Sequence, residues 1–152
     1  MNNTRIILAA DHAGFAMKED IKSYLSQNGY AVEDVGAEKL IDGDDYPQYM
    51  AVAAGKVSAD HSGTVRAIIF GGSGEGEAIV ANRFVGVRAA VWNGGSEEIV
   101  KLSRQHNDAN VLSIGARFVD VAKAKEIVTL WLNTPFSGEE RHKRRIKMID
   151  QL

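Results

Sequence analysis

From residue 5 onward, short runs of apolar, largely β-branched residues alternate with longer stretches whose apolar positions recur every three or four residues. "RIILAA" (5–10) reads as a strand, and the stretch from Gly14 to Asn28 as a helix with Met17, Ile21, Tyr24 and Leu25 on one stripe. Gly29 is a natural stop for it. Further strands are predicted at "AVEDV" (31–35), "RAIIF" (66–70), "VRAAVW" (87–92) and "NVLSIG" (110–115), with helices between, one of them after Pro47. Residues 119–133 and 137–150 read as two more helices separated by "NTPFS", with Pro135 as breaker and Ser137 as a candidate N-cap.

Five strand–helix units imply right-handed crossovers and a parallel sheet covered on both faces. The expected fold class is therefore α/β: a three-layer α/β/α sandwich with a five-stranded parallel sheet of the Rossmann or flavodoxin-like kind. An order of 2-1-3-4-5 would make strands one and three neighbours at the switch point, where ligands bind outside the carboxyl ends of the strands. No repeat, linker or low-complexity segment interrupts the pattern, so residues 1–152 are expected to form one domain.

Two polar loops fall at that edge. Strand one runs into "ADHAG", which supplies Asp11 and His12, and strand three runs into "GGSGEGEA". The second loop lacks the Gly-Lys-Ser/Thr ending of a phosphate-binding Walker loop, and it fails the dinucleotide fingerprint because Glu77 or Ile79 stands where the third glycine belongs. Glycine frees a row of backbone N–H groups there, a suitable nest for an anion or a developing oxyanion. Two glutamates inside such a nest would repel a phosphate. A carboxylate beside an oxyanion hole suits proton abstraction alpha to a carbonyl, and the alternative is that both glutamates only complement a helix dipole.

Composition narrows the class further. With 45% hydrophobic and 25% charged residues the chain can bury a core, and a net charge of −2 argues against a broad nucleic-acid footprint. "RHKRR" (141–145) is the one basic cluster, and it is short. The absence of cysteine excludes disulfides, thiolate zinc sites and a cysteine nucleophile. "MNNTRIILAADHAG" does not look like a signal peptide, and no apolar run approaches a membrane span, so the expectation is a soluble, cytoplasmic protein without membrane or nucleic-acid partners.

"AADHAGFAMKEDI", "DDYPQY", "GGSGEGEAIVANRFVGVRAA", "LSRQHNDANVLSIGAR" and "RHKRRI", in this order along nearly the whole chain, resemble the ribose-5-phosphate isomerase B family, which includes the galactose-6-phosphate isomerase subunits. The resemblance implies an aldose–ketose isomerase that works through a cis-enediolate without cofactor or metal. It implies a homodimer with shared active sites, or a tetramer built as a dimer of dimers. Many members carry a cysteine base at the start of the glycine loop, where this chain has Gly71. The chain looks like the actinobacterial branch instead, whose base closes the "GGSG-x-GE" motif, here Glu77. Glu75 falls at the variable position.

Carried over residue by residue, the resemblance makes Glu77 the base, Ser73 a ligand of the reacting end, and the N–H groups from Gly72 through Gly74 to Gly76 the enediolate's holders. His106 and Asn107 would open the furanose ring and hold its oxygens. Both precede the fifth strand, on the amino edge of their own sheet, so a second subunit would have to supply them to Glu77. Arg141 and Arg145 share a helix face with His142 adjacent, and guanidinium forks match phosphate oxygens. With Arg117 after the fifth strand and His12 after the first, they form the expected phosphate pocket. Asp11 is expected to bind sugar hydroxyls, and Tyr46 to line the pocket; His61 matches no motif.

These residues point to interconversion of D-ribose 5-phosphate and D-ribulose 5-phosphate. The rivals are isomerisation of another aldose phosphate, such as allose 6-phosphate or galactose 6-phosphate, a sugar-phosphate-binding module without turnover, and a nucleotide-binding domain.

Overall fold

A computed structural model describes residues 3–152. Five parallel strands, β1 (Arg5–Ala10), β2 (Ala31–Asp34), β3 (Val65–Gly71), β4 (Ala89–Trp92) and β5 (Val111–Gly115), alternate with helices α1 (Phe15–Gln27), α2 (Tyr46–Ser58), α3 (Glu75–Ala81), α4 (Glu97–Gln105) and α5 (Val121–Asn133), and α6 (Glu140–Ile149) follows.

Side-chain alternation on the central strands builds the three layers. Ile6, Leu8, Ala10, Ile68, Phe70, Leu112 and Ile114 face α1, α4 and α5, where Met17, Ile21, Val100, Ile127 and Trp131 meet them. Ile7, Ala9, Ala67, Ile69 and Val111 face the opposite way, onto Met50, Ala53, Ala54 and Val57 of α2 and Ala81 of α3. Neither cluster includes a residue of α6, whose one buried side chain is His142. That helix is docked at the edge of the layers.

The sheet order is β2-β1-β3-β5-β4. The expected 2-1-3-4-5 is thus correct for its first three places and exchanged in its last two. Burial explains the exchange: all five residues of β5 are buried, whereas β4 buries only Trp92. A slot between two strands and two helical layers demands continuous apolar character, and the half-exposed, four-residue β4 takes the edge. The switch point between β1 and β3 is unaffected.

Local signals set most element ends. The N–H of Tyr30 donates to Leu25 O and that of Gly29 to Ser26 O, both at 3.1 Å, with Gly29 at φ +80, a Schellman close to α1. Helix α2 starts one residue before Pro47. Ser137 is not the N-cap of α6. That place is Glu139, and Ser137 Oγ accepts only the N–H of Glu139 at 3.4 Å. One buried group was unexpected from the stripe of α1: Lys18 is fully buried, its Nζ donating to Asp34 Oδ2 at 2.6 Å and Ala37 O at 3.0 Å. A buried ammonium needs such partners, and here they tie α1 to the end of β2.

Candidate active site

The carboxyl ends of β1, β3 and β5 converge on an open cleft of about 320 Å³ lined by Asp11, His12, Ala13, Tyr46, Gly72, Ser73, Gly76, Glu77 and Arg117. Each side is set by a short loop. After β1, Asp11 turns its carboxylate back, so that Oδ1 accepts the N–H groups of Ala13 (3.0 Å) and Gly14 (3.3 Å), the local bond that Asp favours in turns. His12 follows, its backbone N–H donating to Asp44 Oδ1 at 2.8 Å and its ring Nδ1 3.0 Å from the same oxygen.

After β3 the glycine loop enters α3. Gly74 is left-handed at φ +82 and serves as the N-cap position, so no side chain cap is made there. Its carbonyl accepts the Ser113 hydroxyl at 2.6 Å, and the Ser73 carbonyl accepts Asn93 Nδ2 at 3.2 Å. Beneath, the N–H groups of Ala116 and Arg117 donate to the carbonyls of Gly71 (2.8 Å) and Gly72 (3.1 Å). The loop is therefore clamped by its carbonyls to β5 and to the residue after β4. Ser73 Oγ accepts the N–H of Glu75 at 3.2 Å.

Glu77 is the group that this arrangement buries, at 4% exposure, while Glu75 is exposed. Burial pushes the Glu77 carboxyl above its ordinary value; its own N–H and that of Gly74 work against this, and the charges of Asp11 and Glu75 add to it. A helix start would make the anion too weak a base, and burial restores the basicity. Gly71 is the complement of this placement. A Cβ at residue 71 would overlap the Glu77 carboxyl group, which would then have to swing out of its present place.

Electrostatics in the cleft favour a cationic imidazole. The hydrogen bond to Asp44 raises the His12 pKa, burial opposes it, and the charges of Asp11, Asp44 and Asp42 add to it. Asp11, His12 and Asp44 also lie close enough together to hold a cation. The short ring–carboxylate contact makes an ion pair the simpler arrangement.

The remaining expected site residues are elsewhere. His106 caps the C-terminus of α4, with exposed Asn107 after it, at the amino end of the sheet. His142 stacks on His106 with ring centroids 4.2 Å apart and planes at 15°. Buried at 4% exposure, the His142 imidazole is held below its ordinary pKa by desolvation, then by the neighbouring His106 and Arg141. Arg141 and Arg145 are exposed on the same helix. The expected pocket uniting Arg141, His142 and Arg145 with His12 and Arg117 is thus not formed within one chain: α6 is held at the amino end of the sheet by His142 on His106 and by its C-cap Asp150, 3.4 Å from Arg88, and the segment before it by Ser137 N–H donating to Gln105 O of α4 at 3.1 Å. The histidine stack buries the His142 ring against His106 at the end of α4.

Asp44, Asn93 and Ser113 were not singled out by sequence. Asp44 stands in the acidic run before Tyr46, which was a usable signal; Asn93 and Ser113 follow or occupy strands and are visible only once β4 and β5 are placed.

Comparison with known proteins follows the same outline. A protein family described as Ribose/Galactose Isomerase matches residues 6–149. Ribose-5-phosphate isomerase B of Mycobacterium leprae is 41% identical over 150 residues, 98% of this chain and 90% of that protein. The Escherichia coli protein of the same name is 38% identical over 150 residues, covering 95% and 93%. Among solved structures, ribose-5-phosphate isomerase B from Mycoplasma genitalium with bound ribulose-5-phosphate superposes with a TM-score of 0.91 at 35% identity, over 97% of this chain and 95% of that one.

Proposed function

The chain belongs to the ribose/galactose isomerase family, and from that premise we propose that it interconverts D-ribose 5-phosphate and D-ribulose 5-phosphate with Glu77 as the base. The observation that carries the assignment is the burial of Glu77 beside the glycine loop, in the same cleft as His12 and Arg117. Glu77 takes the proton from C2 of the open-chain aldose. The C–H electron pair becomes the C1–C2 double bond, and O1 becomes the enediolate oxygen held by N–H groups between Gly72 and Gly76. Protonated Glu77 returns the proton to C1, while the hydroxyl proton passes from O2 to O1, and the ketose results. Ser73 binds this reacting end, Asp11 the sugar hydroxyls, and Tyr46 closes the wall.

The phosphate end calls for more positive charge than the cleft contains. Asp11, Asp44 and Glu77 surround it, against Arg117 and His12. Arg141 and Arg145 of a second copy fit this need, and the same copy would bring His106 and Asn107 to open the furanose ring. The working unit is then a homodimer with two shared sites, acting in the cytoplasm, with the glutamate base of the actinobacterial branch. A coupled assay of purified protein across ribose 5-phosphate, allose 6-phosphate and galactose 6-phosphate, without added metal or cofactor, tests the reading. Fastest turnover of ribose 5-phosphate is expected, and turnover of a hexose phosphate alone would overturn it.

A further inference from the structure

We propose that Asp44 is the positioning residue of His12: it fixes the imidazole and keeps it cationic, and through it sets the affinity of the cleft for a sugar phosphate. The inference rests on the proposed phosphate role of His12 and deepens it.

The geometry is specific. One carboxylate oxygen, Asp44 Oδ1, receives the His12 backbone N–H at 2.8 Å and lies 3.0 Å from ring Nδ1, so a single group holds both ends of the residue. The Asp44 side chain is only 4% exposed, against 28% for that of His12. Water therefore screens the pair little on the aspartate side. Asp11 is the less suitable partner. Its Oδ2 is 3.8 Å from Nδ1, and its Oδ1 is engaged by Ala13 and Gly14.

An imidazolium whose Nδ1–H is taken by a carboxylate has one donor left, Nε2–H, with its orientation set by the first bond. The cleft thereby gains a directed cationic donor beside Arg117. Reciprocity supports the pairing: burial pushes Asp44 up, yet the His12 N–H, the His12 ring and the Tyr49 hydroxyl together hold it below its ordinary value. The groups that face His12 are Asp11 on its own loop, Asp42 and Asp44 between β2 and α2, and Glu77 and Arg117 across the cleft; Tyr49 of α2 stands behind Asp44. Of these, Asp44 makes the direct bond to the ring.

The segment carrying Asp44 is not part of the sheet. The Asp44 side chain is held by the His12 N–H and ring and by the Tyr49 hydroxyl of α2, so the position of His12 depends on a loop outside the sheet.

Asp44→Asn keeps the size and removes the charge. Imidazole NMR of the full-length protein, with His12→Gln for assignment, should show the His12 titration midpoint moving to lower pH in the variant. At pH 8 the KM for ribose 5-phosphate should rise about tenfold, as for the loss of one hydrogen bond to a charged group, with kcat within about twofold. The two proteins should converge below about pH 5.5, where even an imidazole of ordinary pKa is protonated in both. A KM increase equal at all pH values would mean a merely structural role and would overturn the proposal, as would an unmoved midpoint. Should the isomerase reading itself fail, binding of inorganic phosphate, followed by the same resonances, still decides. If the variant does not fold, the wild-type midpoint alone is sufficient: a value at or below about 6.5 for His12 contradicts the pairing.

Discussion

At the carboxyl end of the sheet the polar groups are carboxylates, glycine-loop amides and one ion-paired histidine, with Asp11 and Glu77 buried at 5% and 4% exposure. At the amino end they are stacked imidazoles and a helix carrying Arg141, Arg144 and Arg145, most of it exposed. The first region is assembled by hydrogen bonds among loops that leave adjacent strands. The second hangs on one helix held through His142 and the Gln105 carbonyl. One has buried carboxylates and an anion nest with few cations, the other cations and stacked imidazoles without a buried carboxylate. The difference supports the proposed homodimer, in which two copies meeting end to end would combine the two sets of groups into two shared sites.

The sharpest way to break this contrast is at the base. Glu77→Gln should lower kcat by about 10²–10⁴-fold, the span of general acid–base catalysis, with KM nearly unchanged, because the amide keeps the volume and cannot accept the proton. Glu75→Gln should lose far less, and since removal of its charge lowers the raised pKa of Glu77, the acid limb of its kcat profile should move to lower pH. A reversed ranking of the two variants in kcat would move the base to Glu75.

Next in size is complementation between the ends. Co-refolded Glu77→Gln and His106→Ala chains should form hybrids with one site bearing both lesions and one bearing neither. Random pairing makes about half the dimers hybrid, so roughly a quarter of wild-type activity should return. Isolated hybrids no more active than the parents would return the whole site to one chain.

The smallest effect is expected at the cations. Arg141→Ala or Arg145→Ala should cost about 1.5–3 kcal/mol in kcat/KM for ribose 5-phosphate, the range for hydrogen bonds to charged groups, and little for ribose. Equal losses for both sugars would assign these arginines to the fold.

The sequence made the carboxyl end legible because its determinants are local. Asp11, His12 and Glu77 each lie within a few residues of a strand end, and period and glycine content locate those ends. The order of β4 and β5 was not legible, since both are short apolar runs and only their burial in the assembled sheet ranks them. Nor was the place of α6. Its basic face suggested phosphate, and its docking depends on pairs far apart in sequence, His142 with His106 and Asp150 with Arg88. Lys18 escaped for a related reason: an apolar stripe with one lysine beside it reads as a solvated edge until Asp34 is placed under it.

The empty side of Gly71 constrains how such an enzyme can evolve. The Glu77 carboxyl group occupies the volume that any side chain at 71 would enter. A chain with a side chain at 71 must hold the residue at 77 differently. The two positions should therefore change as a linked pair, since the identity of one residue restricts which side chains fit at the other.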